Sequence, residues 1–277
     1  MTEGQESDYR RGLVAALVTP VAADGSVCEQ SVAKLINEVR PHVRALLPTL
    51  STGEGQWLSP PQWSDMVSAT VRHARRTPVI AGVLAPGTEA AQASIAEAAR
   101  LGATAAAATT PFGTEISQCD MVRHYERLAE GELPVVVYHE SAVSGNAMTL
   151  ETLLRVCRIP GITAVKDSAG DPGFTVNLIA AADVPVLQGL EHLLGRCGRV
   201  AGQVAALSNV EPELCATALA CPESRIVTAR FLEACRRYRL DRDDFVVALK
   251  TELHRRGVLT TAATVVDLPE HGEAQLC

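Results

Sequence analysis

Lysine is scarce in this chain of 277 residues. Of its 25 basic side chains, 22 are arginine and only three, Lys34, Lys166 and Lys250, are lysine. Acidic residues number 32, so the formal net charge is −7 at pH 7. A chain of this charge lacks the basic surface that binds nucleic acid or an anionic membrane. We therefore expect neither kind of partner, and each of the three lysines needs an explanation.

The chain also lacks the marks of an exported or membrane-embedded protein. No run approaches the ~18 consecutive apolar residues of a membrane-spanning helix. The polar start, MTEGQESDYRR, has no apolar core of the kind that signal peptides contain. Eight cysteines are scattered without C-x-x-C pairs, which favours free thiols in a reducing compartment over a disulfide framework. These absences predict a cytoplasmic protein.

Several motifs for cofactors and metals are incomplete. A G-x-G begins at Gly53, but Leu58 stands where the dinucleotide fingerprint needs its third glycine. His139 and Glu140 open an H-E-x-x-H, but Val143 stands at the second histidine position. No Walker A sequence or G-x-S-x-G elbow occurs, and the seven histidines lack metal-ligand spacing. We expect no nucleotide cofactor and no metal site.

What the sequence does contain is a repeated alternation of short apolar runs and longer amphipathic stretches. Short runs rich in apolar residues, such as 13–19 and 162–166, predict buried strands, and stretches such as 88–101 have the apolar spacing of helices. Eight strand–helix units follow one another in this way, which is typical of a (β/α)8 barrel. We predict an α/β TIM barrel over residues 1–222, and additional C-terminal helices with a tail over 223–277.

The last units follow the same pattern, with a strand at 185–188, a helix at 191–198 and a strand at 203–207. An open, doubly wound sheet is the alternative arrangement of such units. It would normally carry a glycine-rich phosphate fingerprint after its first strand, and none follows LVAALVTP. The closed barrel is therefore favoured.

Lys166 ends the predicted sixth strand, GITAVK. In a parallel barrel the chemistry lies at the carboxyl ends of the strands. An amine among apolar residues loses solvation, so its pKa falls and part of it is neutral, the form that attacks a ketone to give a Schiff base. Tyr138 ends the neighbouring predicted strand and could relay protons. A rim ion pair for the lysine and a rim aromatic for the tyrosine are the structural alternatives.

Two further polar groups follow predicted strands. Ser51, Thr52 and Gly53 form either a tight turn or a set of backbone amides and hydroxyls that binds a carboxylate, because successive N–H groups favour anions. His139 and Glu140 are a titratable pair that could take part in proton transfer or could simply be rim residues.

Six segments, in this order, resemble the dihydrodipicolinate synthase / N-acetylneuraminate lyase superfamily of pyruvate-dependent class I aldolases: ALVTP, STGEG, PVIAG, TTPF, VVVY and AVKDSAGD. The resemblance covers residues 13–259 and implies that Lys166 forms the Schiff base and that Tyr138 relays protons. It implies that Ser51 and Thr52 hold the carboxylate of pyruvate or another 2-oxo acid. It also implies a homodimer or homotetramer, with no cofactor other than the lysine imine.

Two positions depart from the synthase pattern. Gly113 stands where that pattern has a tyrosine that completes a proton relay across a dimer, and Val143 stands where it has an arginine that binds the acceptor's carboxylate. Losing a guanidinium should remove most affinity for a dicarboxylate-type acceptor, so aspartate semialdehyde is not expected. Glu191, two residues after Gly189, could replace the acidic residue with which lyases bind substrate hydroxyls, and the pair after Tyr138 could supply the missing relay.

Taken with the resemblance, the residues predict an aldolase or lyase that acts on pyruvate or another 2-oxo acid through Lys166, with an unidentified acceptor. A Schiff-base dehydratase, decarboxylase or condensing enzyme is one alternative. A non-catalytic ligand-binding homologue is another, although the presence of both Lys166 and Tyr138 favours an enzyme. Lys34 and Lys250 are predicted to be ordinary surface residues.

Overall fold

Eight short parallel strands form the inner layer of the structure, a computed structural model that describes residues 8–266. The strands are β1 (Gly12–Ala16), β2 (Ala45–Leu47), β3 (Ile80–Val83), β4 (Ala105–Ala108), β5 (Val135–His139), β6 (Ile162–Asp167), β7 (Val186–Gln188) and β8 (Gly202–Ala205). Their hydrogen-bonded order is β2-β1-β8-β7-β6-β5-β4-β3. A parallel bridge between Leu46 and Val79 joins β2 to β3, so the sheet curls round into a barrel.

Helices surround the strands and complete the (β/α)8 fold, which confirms the predicted fold class. They are α1 (Glu29–Val39), α2 (Pro60–Ala74), α3 (Thr88–Arg100), α4 (Gln118–Ala129), the single turn α5 (Ser141–Ser144), α6 (Leu150–Cys157), α7 (Pro172–Ala181), α8 (Pro212–Ala220), α9 (Arg225–Arg237) and α10 (Phe245–Arg255). No helix in this part of the chain is long and apolar enough to cross a membrane. The cysteines that the structure describes are free thiols, and Cys277 lies outside the described residues.

The predicted helix at 191–198 is wrong. A 3-10 turn, Glu191–Leu193, takes its place between β7 and β8. Gly195 and Gly198 follow it with φ angles of 79° and 72°, in the left-handed region that a right-handed helix cannot include. The two glycines therefore end the helical geometry after one turn.

Side chains alternate between the two faces of the barrel strands. Ala105 and Ala107 of β4 belong to the buried cluster inside the barrel, whereas Ala106 and Ala108 belong to the cluster between the strands and the helices. This is the period-two alternation of any strand. It determines which residues at the strand ends can reach the barrel mouth.

The C-terminal helices pack on the barrel. Phe231 of α9 and Leu249 and Leu253 of α10 share one buried cluster with Leu13 and Val32 from the start of the chain. The boundary at residue 222 stays a prediction. Residues 1–7 and 267–277, which include the end of the predicted tail, lie outside the described residues.

Candidate active site

Lys166 and Tyr138 lie side by side inside the barrel mouth. They are direct partners in the register of β5 and β6, and both are buried. Val136 and Ala164, two residues before each of them, belong to the interior cluster, so the alternation points both side chains inward. The Lys166 Nζ is 3.7 Å from the centroid of the Tyr138 ring.

Burial lowers the pKa of Lys166 to about 8, while the carboxylates of Glu140 and Glu191 raise it in part. At pH 7 roughly a tenth of such an amine is neutral, against less than about a thousandth of an ordinary lysine. The amine at this site therefore has the property that nucleophilic attack on a carbonyl requires.

The Tyr138 phenol lies next to the turn that follows β2. Its Oη is 3.0 Å from the Oγ of Ser51, and burial raises the pKa of the phenol above its ordinary value. The phenol is therefore protonated at neutral pH and can donate a proton or pass one between Ser51 and a bound substrate.

The segment Ser51–Gly53 forms a 3-10 turn held from several sides. The Oγ1 of Thr19 donates to the carbonyl of Gly53 over 2.6 Å, and the backbone N–H of Glu54 donates to the carbonyl of Ser51 over 3.0 Å. Thr52 is buried within the turn. The first amides of such a turn have no acceptor inside it, which suits the carboxylate site that the sequence predicts.

Gly189 and Glu191 lie on the opposite side of Lys166 from β5. A Cβ on Gly189 would lie 2.9 Å from the Cε of Lys166 and 2.0 Å from the Oγ of Ser168, so a glycine here leaves room for the lysine. The Glu191 Oε1 accepts from the backbone N–H groups of Ala206 and Leu207, over 2.6 and 3.1 Å. Burial raises the pKa of the Glu191 carboxyl.

The structure separates His139 from Glu140. Glu140 follows Tyr138 by two residues on the same face; it is half-buried, its Oε1 accepts from the N–H of Ala142 over 3.1 Å, and burial raises its pKa. His139 points outward, where its Nδ1 is 3.0 Å from the Oδ1 of Asp167 and its ring stacks on Phe174. Of the pair, only Glu140 lies on the side of the lysine.

Two buried hydroxyls, those of Thr109 and Ser168, lie near the mouth at strand ends, where the sequence places the chemistry of a barrel, although no role is predicted for them. Within residues 8–266 the Oγ1 of Thr109 has no hydrogen-bond partner, and the Ser168 hydroxyl lowers the pKa of the neighbouring Tyr138 phenol in part. Both continue the inward alternation, Ser168 after Lys166 on β6 and Thr109 after Ala107 on β4.

The prediction that Lys250 is a surface residue is wrong. Its side chain is 0% exposed and forms an ion pair with Glu54, which is itself 3% exposed. Lys34, by contrast, is exposed as predicted, and its Nζ donates to the carbonyl of Gly257 over 3.2 Å. The error came from treating a charged residue on a C-terminal helix as solvated without following the helix period.

The barrel fold agrees with the similarity of this chain to known proteins. Residues 9–262 match the model of the Dihydrodipicolinate synthetase family. The chain belongs to this family. Its members are lyases of the aldolase type, and this chain is an enzyme of that class.

Two named relatives align with about three quarters of the chain. A 4-hydroxy-tetrahydrodipicolinate synthase of Neisseria meningitidis is 32% identical over 212 residues, which are 74% of this chain and 72% of that protein. An uncharacterized DapA-like lyase of Halobacterium salinarum is 35% identical over 209 residues, 73% of this chain and 69% of that protein. The crystal structure of the chloride-inhibited dihydrodipicolinate synthase from Acinetobacter baumannii, complexed with pyruvate, superposes with a TM-score of 0.85 at 25% identity, covering 96% of this chain and 94% of that one.

Of the two departures from the synthase pattern, Gly113 lies in a loop and Val143 in the single turn α5, and these two segments are bound to each other. Gly113 has a φ of 126°, where any side chain is strained, so a tyrosine could not simply replace it in this backbone. The N–H of Gly113 donates to the carbonyl of Ser144, and Asn146 Nδ2 donates to the carbonyls of Pro111 and Gly113 over 2.7 and 2.8 Å. In this dihydrodipicolinate synthetase family member, the loop has a backbone suited to glycine.

Proposed function

We propose that the chain is a Schiff-base-forming class I lyase that acts on pyruvate or another 2-oxo acid through Lys166, without any other cofactor. The observation that carries the proposal is a buried lysine with a pKa of about 8 whose Nζ is 3.7 Å from the ring centroid of Tyr138. Family membership supports the aldolase class, and the lysine's surroundings support the covalent step.

In the proposed reaction, the neutral Lys166 amine attacks the oxo carbon and forms a carbon–nitrogen bond. The oxo oxygen leaves as water, with protons passed by Tyr138 and its hydrogen-bonded partner Ser51. The resulting iminium withdraws electrons from the adjacent carbon, so a carbon–carbon bond there can form or break. Hydrolysis of the imine then restores the lysine. The substrate carboxylate binds at the amides and hydroxyls of the Ser51–Gly53 turn.

The acceptor is proposed not to be aspartate semialdehyde. The position of the acceptor-binding arginine holds Val143, a neutral side chain that cannot pair with a carboxylate. The charged groups that act on Lys166, Glu140 and Glu191, are both acidic, so neither can replace that guanidinium as a partner for the acceptor's carboxylate. An aldehyde without a carboxylate fits this site better.

Borohydride trapping tests the proposal. The protein is incubated with a panel of 2-oxo acids and borohydride, and the modified residue is located by mass spectrometry. We expect a reduced adduct on Lys166, no adduct in Lys166→Met, and an unchanged adduct in the matched control Lys34→Met, which removes an exposed lysine. Absence of an adduct on Lys166 with every member of the panel would contradict the proposal.

A homodimer or homotetramer and a cytoplasmic location remain predictions. They derive from the family resemblance and from the composition of the chain. Native mass spectrometry of the purified protein measures the first directly, and fractionation of cells that express the untagged protein measures the second.

A further inference from the structure

A buried ion pair lies directly behind the carboxylate-binding turn. Glu54, the residue after Ser51–Gly53, pairs through its carboxylate with the Nζ of Lys250 on α10. The same Nζ donates to the carbonyl of Ala263 over 3.0 Å, and the N–H of Val265 donates to the Glu54 Oε1 over 2.7 Å. We call these four residues the Glu54–Lys250 clamp. It joins the turn, α10 and the C-terminal segment at a single point.

The clamp holds a backbone conformation that its residue does not favour. Glu54 has φ 57° and ψ 31°, the left-handed region that residues other than glycine rarely adopt. Such a conformation persists only where the surroundings hold it. The Glu54 side chain is held at both carboxylate oxygens by groups from distant parts of the chain. Lys250 contacts one oxygen, and the N–H of Val265 donates to the other.

The conformation of Glu54 bears directly on the turn. Its N–H donates to the carbonyl of Ser51, the hydrogen bond that closes the turn. Ser51 in turn places its Oγ 3.0 Å from the Tyr138 Oη, and the Tyr138 ring lies against Lys166. A continuous set of contacts therefore runs from α10 to the lysine in the barrel mouth.

A lysine suits the outer end of this set of contacts. Its compact ammonium has three donors, so one nitrogen can serve both the carboxylate of Glu54 and the carbonyl of Ala263. Buried ion pairs add little net stability over apolar packing of the same volume, because both charges lose their solvation. Geometry at the turn is a better explanation for the pair than stability.

We propose that Glu54 and Lys250 are positioning residues, through which α10 and the C-terminal segment hold the Ser51–Gly53 turn in the shape that binds the substrate carboxylate. The inference rests on the proposed function, because it assigns the turn to the carboxylate of a 2-oxo acid. It gives the C-terminal helices a part in substrate binding that the barrel alone does not provide.

The test uses the rate of borohydride trapping as a function of the concentration of a 2-oxo acid that the wild type traps. For Lys250→Met and Glu54→Gln we expect the half-saturating concentration to rise about tenfold, the loss of roughly one charged hydrogen bond, with a smaller change in the maximal rate. Lys250→Arg keeps the charge and should lie between these variants and the wild type. Lys34→Met is the matched control and should leave both parameters unchanged.

The double variant Glu54→Gln/Lys250→Met covers the case in which Lys250→Met alone does not fold. It buries no unpaired charge, yet it lacks the clamp, so we expect the same rise in half-saturating concentration. Folded variants, checked by circular dichroism, that saturate at the wild-type concentration would overturn the inference and leave the proposed function standing.

Hydrogen–deuterium exchange gives a readout that does not depend on trapping. The amides of residues 49–57 should exchange faster in Glu54→Gln and in the double variant than in the wild type and Lys34→Met. Unchanged exchange in this segment would overturn the positioning role of the clamp. This readout is independent of the proposed function, which would be overturned separately if the wild type trapped no 2-oxo acid.

Discussion

Lys166 and Lys250 are both buried, but their amines have different surroundings. Lys166 lies against the ring of Tyr138, and Glu140 and Glu191 act on it without forming an ion pair. Lys250 is paired with Glu54. Burial lowers the pKa of both amines, and at Lys250 the adjacent Glu54 carboxylate opposes that shift. Burial alone therefore does not make a lysine nucleophilic, since the absence of a direct carboxylate partner is also needed.

Replacing Lys166 by arginine should give the largest effect. A guanidinium stays protonated and cannot form the imine. We expect Lys166→Arg to lower the rate of trapping and turnover by on the order of 10^4-fold or more, equivalent to about 5.5 kcal/mol in the barrier. Single-turnover kinetics with the best-trapped 2-oxo acid measures it. Lys250→Arg is the comparison. If it lowered the rate of trapping as much as Lys166→Arg does, the distinction between the two lysines would be contradicted.

Replacing Lys250 by methionine should give the largest loss of stability. The substitution leaves the Glu54 carboxylate buried without its partner, and breaking one side of a buried pair costs about 3–5 kcal/mol. Urea denaturation followed by circular dichroism measures the change in the free energy of unfolding. The Glu54→Gln/Lys250→Met variant should recover part of the loss, and no recovery would show that packing, not charge, explains it.

Replacing Lys166 by methionine should stabilise the protein, unlike the replacement of Lys250. The pKa of Lys166 falls from 10.5 to about 8 on folding, so at pH 7 the folded protein bears the cost of a buried charge. We expect Lys166→Met to raise the free energy of unfolding by roughly 1–3 kcal/mol at pH 7.

The pH dependence of that gain follows from the same shift. Between about pH 8 and 10.5 the unfolded wild type binds more protons than the folded one, so wild-type stability rises with pH. The advantage of Lys166→Met should therefore shrink across this range. Urea titrations at pH 7, 9 and 10.5 measure it, and a constant advantage would contradict the lowered pKa.

The barrel could be predicted because its strands are buried on both faces and end at recognisable turns. Runs such as 13–18 are wholly apolar, as is typical of strands covered by helices. The prediction of a helix at 191–198 was wrong because it gave the apolar spacing more weight than the glycines at 195 and 198. Two glycines so close together are a stronger sign of a turn than the spacing is of a helix.

The candidate site was predictable where it followed the strand period. Lys166 and Tyr138 lie one residue before the ends of adjacent strands, and parallel register brings such positions together. The same period separates His139 from Glu140, because consecutive strand residues face opposite sides. Treating these two as one pair ignored a rule that needs no structure.

Lys250 was missed although its helix carried a signal. Val246, Leu249 and Leu253 of α10 are buried at helical spacing, and Lys250 lies on the same face. A lysine inside an apolar stripe is a sign of burial, and a fully buried lysine is usually paired. The sequence could not identify Glu54, because that pairing joins residues nearly two hundred positions apart through the fold.

Replacing Lys34 by arginine should give the smallest effect and complete the comparison. Its side chain is exposed on α1, and its contact with the carbonyl of Gly257 is one that a guanidinium can also make. We expect Lys34→Arg to change the free energy of unfolding by less than about 0.5 kcal/mol and to leave trapping unchanged. Urea denaturation beside the wild type measures the first. A loss of stability above about 1 kcal/mol would mean that even the exposed lysine does not tolerate arginine. Burial would then not explain which lysines can be replaced by arginine.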